Sequence, residues 1–90
     1  MKTTLELLQA ARNKTSPKSE RQLAIDLGHA PTTLAMARTR GTLSPVIAGQ
    51  LAELIGADVE HWIAVAAIEA APRSRVTDHL RRTLYASAQS

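Results

Sequence analysis

The side chains that can support catalysis or bind a metal are scattered along this sequence of 90 residues. His29, His61 and His79 lie in three separate segments, and none has another histidine four positions away. Because the chain has no Cys, it lacks both thiolate zinc ligands and disulfides. No nucleophile and base lie near its acidic residues between positions 53 and 69 in the sequence, so these residues do not form a recognisable catalytic set. The sequence also has no glycine-rich phosphate-binding loop. We therefore expect no enzyme, no metal site and no cofactor.

Charge is distributed unevenly along the chain. Residues 1–41 hold seven basic and three acidic residues, whereas residues 42–71 hold four acidic residues and no Lys or Arg. Residues 72–90 carry four Arg and one Asp, and the whole chain has a net charge of +3. A cationic first half favours a polyanionic partner. For the C-terminal arginines, a solvated helix face and a contact with DNA or an acidic partner both remain open.

Composition excludes several classes of protein. Trp62 and Tyr85 are the only aromatic residues, so the surface aromatics on which RRM and OB-fold domains stack bases are missing. We expect Trp62 to be a core anchor, because Val59 and Ile63 share its helix face. No apolar run is long enough for a bilayer span or a signal peptide. With no Cys, the expected location is the cytoplasm, without a membrane partner.

The apolar residues recur at helical spacing, which predicts an all-α fold of five helices followed by an amphipathic C-terminal helix. Ser19, Ser44 and Asp58 are predicted N-caps, and Pro31 is predicted in the first turn of the third helix. Glycines 28, 41 and 56 are predicted to end helices. The predicted helices cover residues 3–14, 20–27, 31–40, 45–55, 59–70 and 73–86, and the end of the chain is expected to fray.

The fifth helix is apolar nearly all round. Its predicted buried face carries Val59, Trp62, Ile63, Ala66 and Ala70, while Val65 and Ile68 lie off that face. We therefore expect a second covering, either the sixth helix or another subunit. On the fourth helix, the predicted apolar face is formed by Ile47, Leu51, Leu54 and Ile55.

Residues 20–37, ERQLAIDLGHAPTTLAMA, have the pattern of two helices crossing at a sharp turn. Ala24 is small at the crossing, Gly28 lies at the turn, and Leu34 is an apolar anchor on the second helix. This stretch resembles the helix-turn-helix of the Cro and lambda-repressor superfamily. The likeness continues through residues 43–70, which look like those of a group of small phage-related helix-turn-helix proteins, and it therefore implies a bacterial host cell. It implies a DNA-binding domain at residues 1–71, with residues 72–90 as a separate C-terminal element.

The resemblance assigns roles to particular residues. The third helix would enter the major groove, and the second would lie across the phosphate backbone. The base-facing candidates carried over by position are Thr32, Thr33, Ala35, Met36 and Thr39. The candidates for phosphate or base contacts are Lys18, Arg21, Arg38, Arg40 and Ser44. Because Ala35 and Met36 offer only apolar contacts, we expect modest base readout, with phosphate contacts and DNA shape supplying the rest.

The last predicted helix carries an apolar stripe of Val76, Leu80 and Leu84. The stripe can fold back on the fifth helix or pair with a second subunit, and we favour dimerisation because a domain this small needs two copies to cover two half-sites. The sequence thus predicts a homodimeric, repressor-like transcriptional regulator of the phage or prophage type that binds duplex DNA. The alternatives are an ordinary helical hairpin, or an adaptor or antitoxin-like protein that uses the same fold to bind a protein partner.

Overall fold

The computed structural model describes the backbone of residues 3–15 and 19–88, and the side chains of residues 3–15 and 19–84. Within these ranges the chain is all-helical, which confirms the predicted class. The helices are α1 (Thr4–Lys14), α2 (Glu20–Asp26), α3 (Thr33–Arg40), α4 (Pro45–Ile55), α5 (Val59–Ala70) and α6 (Arg75–Ala88). None of them combines the length and apolar character needed to cross a membrane. The α6 helix runs two residues past its predicted end, while residues 89 and 90 lie outside the described residues.

Three helix starts are fixed by the predicted N-caps. The Ser19 hydroxyl accepts a hydrogen bond from the Gln22 N–H at 3.1 Å, and the Asp58 carboxylate accepts one from His61 N–H at 3.1 Å. Ser44 caps α4 in the same way through Ile47 N–H. Each cap satisfies a backbone donor that the first turn of a helix leaves unpaired.

The α3 helix begins two residues later than predicted. Pro31 and Thr32 form a turn in which Thr33 N–H donates to Ala30 O at 3.1 Å. The first helical bond then joins Met36 N–H to Thr32 O at 2.9 Å. The placement of Pro31 in the first turn of the helix is therefore wrong, because Ala30 O is bonded three residues ahead in a turn and the helical bonds to the fourth residue start only at Thr32 O.

The core is built around α4, which packs against both α1 and α5. The α2 and α3 helices pair with each other and add Leu23, Ala24, Leu34 and Ala37 to the same buried cluster. The α6 helix packs on α5, which confirms the predicted second covering of that helix. The α2–α3 pair thus shares one core with α1, α4 and α5, and α6 packs on the outside of α5.

The buried face of α5 differs from the prediction. Val65 is 1% exposed and lies in the core with Trp62 and Ala66, whereas Ile63 is 39% exposed. The α5 helix crosses α4 at Gly49, and a Cβ atom added there would lie 3.0 Å from Ile63 Cγ1. Ile63 therefore lies at the edge of the α4–α5 contact, and Val65 turns inward. Leu54 of α4, also predicted on the apolar face, is 39% exposed.

Candidate nucleic-acid interface

One face of α3 is exposed and carries most of the predicted base-facing residues. Thr32, Ala35, Met36 and Thr39 follow the i, i+3, i+4, i+7 spacing of a single helix face and line, with Arg40, a shallow cleft of about 400 Å³. Met36 is 57% exposed. The fifth candidate, Thr33, is half-buried and does not line this cleft. The structure thus brings four of the five candidates together on one accessible surface.

The opposite face of α3 anchors it to the body of the protein. Leu34 and Ala37 are buried in the core, where Ala24 of α2 is fully buried as well. These are the small and apolar positions that a helix-turn-helix needs at the crossing of its two helices. At the turn, Gly28 has φ of +85°, a left-handed conformation that costs glycine little. The buried face of α3 therefore fixes the helix to the core and leaves its opposite face open to solvent.

A side-chain bridge also holds the turn between α2 and α3 against α4. His29 Nε2 lies 2.7 Å from Gln50 Oε1, and Gln50 Nε2 donates to Leu27 O at 3.1 Å. His29 thus serves the packing of the turn. Among residues 3–15 and 19–84, no three His, Asp or Glu side chains cluster closely enough to hold a metal ion.

The threonines of the exposed α3 face differ in their hydrogen-bonding capacity. The Thr39 hydroxyl donates to Ala35 O at 3.1 Å, which leaves only its lone pairs free to accept. Thr32 is the N-cap residue of α3, but its side chain makes no capping bond. Its hydroxyl can therefore both donate and accept. Ala35 and Met36 between them make the centre of the face apolar.

The predicted cationic contacts fall into distinct environments. Arg38 Nη1 lies 3.1 Å from Glu20 Oε1, so this ion pair joins α3 to the first turn of α2. Arg21 and Arg40 are exposed. Ser44 is half-buried, and its hydroxyl is occupied by the cap of α4. Lys18, the remaining candidate, lies outside the described residues.

A polar network that the sequence did not indicate fixes the loop between α3 and α4. The Glu69 carboxylate accepts hydrogen bonds from Thr4 N–H at 2.9 Å, Thr4 Oγ1 at 2.6 Å and Thr42 Oγ1 at 2.8 Å. Thr4 Oγ1 in turn accepts a bond from Leu43 N–H at 3.1 Å. The start of α1, the end of α5 and the loop after α3 are therefore held at one point.

The apolar stripe of α6 is divided between two environments. Leu84 is partly buried and packs against the core, while Val76 is 67% and Leu80 38% exposed. Arg81 Nη2 donates to Ile68 O at 2.9 Å, which ties α6 to the last turn of α5. The α6 helix thus folds back on its own chain through Leu84 and Arg81 and leaves Val76 and Leu80 open to solvent.

Comparison of the chain with family models, with curated proteins and with solved structures gives no match. The placement of the side chains described above is therefore what supports a function.

Proposed function

We propose that this protein binds duplex DNA through the exposed face of α3, as a homodimer, and regulates transcription as a repressor of the phage or prophage type. The observation that carries the proposal is the α3 cleft. Thr32, Ala35, Met36, Thr39 and Arg40 line one open surface without an acidic residue, on a helix whose other face is anchored in the core. A helix presented in this way fits the width of the major groove.

The chemistry of this face suits a mixed mode of recognition. Thr32 can hydrogen-bond to a base edge, while Ala35 and Met36 can contact thymine methyl groups. Arg21, at the start of α2, is exposed and free to reach a phosphate as the second helix lies across the backbone. Because the centre of the face is apolar, phosphate contacts and DNA shape supply much of the affinity in this proposal.

The proposed dimer forms through the exposed part of α6, where Val76 and Leu80 lie on one side of the helix. The two α3 helices of a helix-turn-helix dimer occupy successive major grooves about 34 Å apart. The molecule measures 38 × 26 × 16 Å, so two copies side by side span that distance. A dimer bound in this way would occlude a promoter that overlaps its operator.

The direct test is selection of duplexes from a random-sequence pool by the purified protein at two salt concentrations. We expect enrichment of a palindrome with half-sites about ten base pairs apart, and affinity that falls as salt rises. Salt-sensitive binding without an enriched sequence would contradict an operator-binding function, and the absence of any duplex binding would exclude DNA as the partner.

Variants of the α3 face test the assignment of the surface. Thr32→Val should weaken binding to the selected duplex by about 5- to 100-fold for the loss of one good base contact, and Arg40→Gln should weaken it through the loss of a charged contact to the duplex. Thr83→Val is the matched control for Thr32, because Thr83 is an exposed threonine on α6. An equal loss in the control and in the α3 variants would contradict the assignment.

An adaptor or antitoxin-like role is the second candidate, and a different surface favours it. A groove of about 510 Å³ between α2 and α4 is lined by Asp26, Leu27, Gln50, Glu53 and Leu54, which suits a basic amphipathic partner segment. In that case Glu53→Lys would abolish the regulatory effect in cells, whereas Thr32→Val with Arg40→Gln would leave it intact. A DNA-binding regulator gives the opposite pattern.

A further inference from the structure

A second cleft lies at the far end of α3, where the chain leaves the proposed DNA-binding face. It has a volume of about 310 Å³ and lies between the start of α1, the loop after α3, the end of α5 and the middle of α6. Its lining residues are Thr3, Arg40, Gly41, Thr42, Glu69 and Arg81. Arg40 lines both this cleft and the cleft on the α3 face, so the two surfaces are continuous.

Two arginines from different helices, Arg40 of α3 and Arg81 of α6, line this cleft. Within the described residues, neither Arg40 nor Arg81 forms an ion pair. Arg81 Nη2 donates to Ile68 O, but Arg81 Nε is buried and has no hydrogen-bond partner among the described residues. A buried N–H of a charged group costs free energy when it is left unpaired. The side chain of Arg81, which lines the cleft, therefore has a buried donor without an acceptor.

Glu69 lies in the same cleft but is engaged elsewhere. Its two oxygens accept three hydrogen bonds, two from Thr4 and one from Thr42. These bonds hold the carboxylate against the loop and the start of α1, and it forms no ion pair with Arg81 in the described structure. Two positive charges and one negative charge leave the cleft with an excess of positive charge.

We propose that this cleft binds a phosphate group, held by the guanidinium groups of Arg40 and Arg81. The planar fork of donors on arginine matches the oxygens of phosphate, and such charge-assisted bonds are among the strongest that proteins make. The phosphate is a backbone phosphate of duplex DNA, reached through Arg40 from the α3 face, and this identity rests on the proposed function. A free phosphate is the other source of the same chemistry, and the two arms of the test separate them.

The first arm uses inorganic phosphate as the probe. Phosphate is titrated into isotope-labelled protein at constant ionic strength, and the amide signals of Gly41 and Thr42 are followed by NMR. We expect a saturable shift of both signals that is lost in Arg40→Gln and in Arg81→Gln. Arg82→Gln is the matched control, because Arg82 is the exposed neighbour on α6 and does not line the cleft; its titration should follow that of the wild type.

The second arm measures the salt dependence of duplex binding for the same variants. The logarithm of the association constant falls linearly with the logarithm of the salt concentration. Loss of one phosphate contact should make this slope shallower by about one. We expect this change in Arg40→Gln and Arg81→Gln, and a smaller one in Arg82→Gln. Arg40→Gln leaves the bond from Arg81 to Ile68 in place, so its effect is independent of how firmly α6 is docked.

Each pattern of results decides the question. A saturable, arginine-dependent phosphate shift supports the site even if no duplex binds, in which case the proposed function fails and the inference survives. A slope change confined to Arg40 and Arg81 supports it with DNA as the source. The inference is overturned when both arms fail. The phosphate arm fails if inorganic phosphate gives no saturable shift, or gives the same shift in all three variants. The duplex arm fails if no duplex binds, or if Arg81→Gln and Arg82→Gln have equal slopes. Sequence-specific duplex binding with that result would leave the proposed function standing.

Discussion

Thr4 is a fully buried polar residue whose single hydroxyl connects two distant parts of the chain. It donates to Glu69 and accepts from Leu43 N–H. Thr4→Val keeps the shape of the side chain but removes both bonds and leaves the Leu43 N–H without its partner. We expect a loss of about 2 kcal/mol in the free energy of unfolding, measured by urea denaturation.

Thr42→Val is the control for this prediction. Thr42 is half-buried, and its hydroxyl donates to Glu69 at 2.8 Å and more weakly to Leu43 O at 3.4 Å. Among the described residues it accepts no backbone N–H, so the same chemical change should cost less than about 1 kcal/mol. Equal losses for the two valine variants would show that the hydroxyl of Thr4 is not the source of the stability.

Gly49 marks the closest approach of α4 to α5, and two effects compete there. Replacing glycine by alanine inside a helix stabilises it by about 1 kcal/mol. However, the new Cβ would lie 3.0 Å from Ile63 Cγ1 and 3.1 Å from its Cδ1. We expect Gly49→Ala alone to change stability by less than about 0.5 kcal/mol.

The same substitution in an Ile63→Ala background removes the crowding atoms and should recover most of the helix propensity. The double-mutant cycle should therefore show a favourable coupling of about 0.5 to 1 kcal/mol, measured by thermal and urea unfolding. Strictly additive effects would mean that the contact between Gly49 and Ile63 does not limit the approach of the helices.

At the scale of helices, the ion pair between Arg38 and Glu20 joins α3 to α2. While it is formed, the positive charge of Arg38 is neutralised next to the proposed DNA surface. Glu20→Gln keeps the size of the side chain, removes its charge and releases Arg38. We expect non-specific duplex affinity to rise several-fold, with a salt slope steeper by up to about one.

Glu60→Gln on α5 is the control, because Glu60 is an exposed acidic residue distant in sequence from the α2–α3 pair. It makes the same change in net charge. If both variants raise duplex affinity equally, the effect is one of total charge and Arg38 has no special access to the phosphates.

The helix boundaries show what sequence can predict. The side chains of Ser19, Ser44 and Asp58 accept hydrogen bonds from backbone N–H groups only three residues away. The starts of α2, α4 and α5 can therefore be predicted from local sequence. The choice of buried face is different. Ile63 and Val65 are both apolar and within two positions of each other, and only the close crossing of α4 at Gly49 decides that Val65 turns inward.

The candidate site shows the same division. Of the five base-facing candidates that the resemblance implies, all but Thr33 lie on one helix face, because helical geometry is local and their spacing is helical. The Glu69 network was not predictable, since Thr4 and Glu69 are 65 positions apart and neither lies in a motif. Contacts of that kind depend on how whole helices pack, which no spacing along the chain reveals.

At the scale of the whole molecule, the exposed part of α6 carries the proposed dimer contact. Val76→Lys combined with Leu80→Lys should convert a dimer to monomers, because charges in an apolar interface are left unpaired. Mass measured by light scattering or sedimentation checks this result. Binding to the selected palindrome should weaken in parallel.

Val46→Lys is the control, because Val46 is 65% exposed on α4 and lies outside the proposed interface. Its mass should match that of the wild type. A wild-type protein that is monomeric at the concentrations used for DNA binding, or a double lysine variant that stays dimeric, would contradict dimerisation through α6.

The contact between Thr4 and Glu69 also bears on the order in which the protein assembles as it is synthesised. It closes a loop that contains α2, α3 and α4, and the entropy cost of closing a loop grows only slowly with its length. The contact cannot form until Glu69 has left the ribosome, so α2 and α3 emerge before the helices that they pack against are complete. The α6 helix emerges after α5 and packs on a chain in which the contact between Thr4 and Glu69 can already form. A nascent chain arrested once the whole of α5 has left the ribosome should therefore already resist proteolysis across α3.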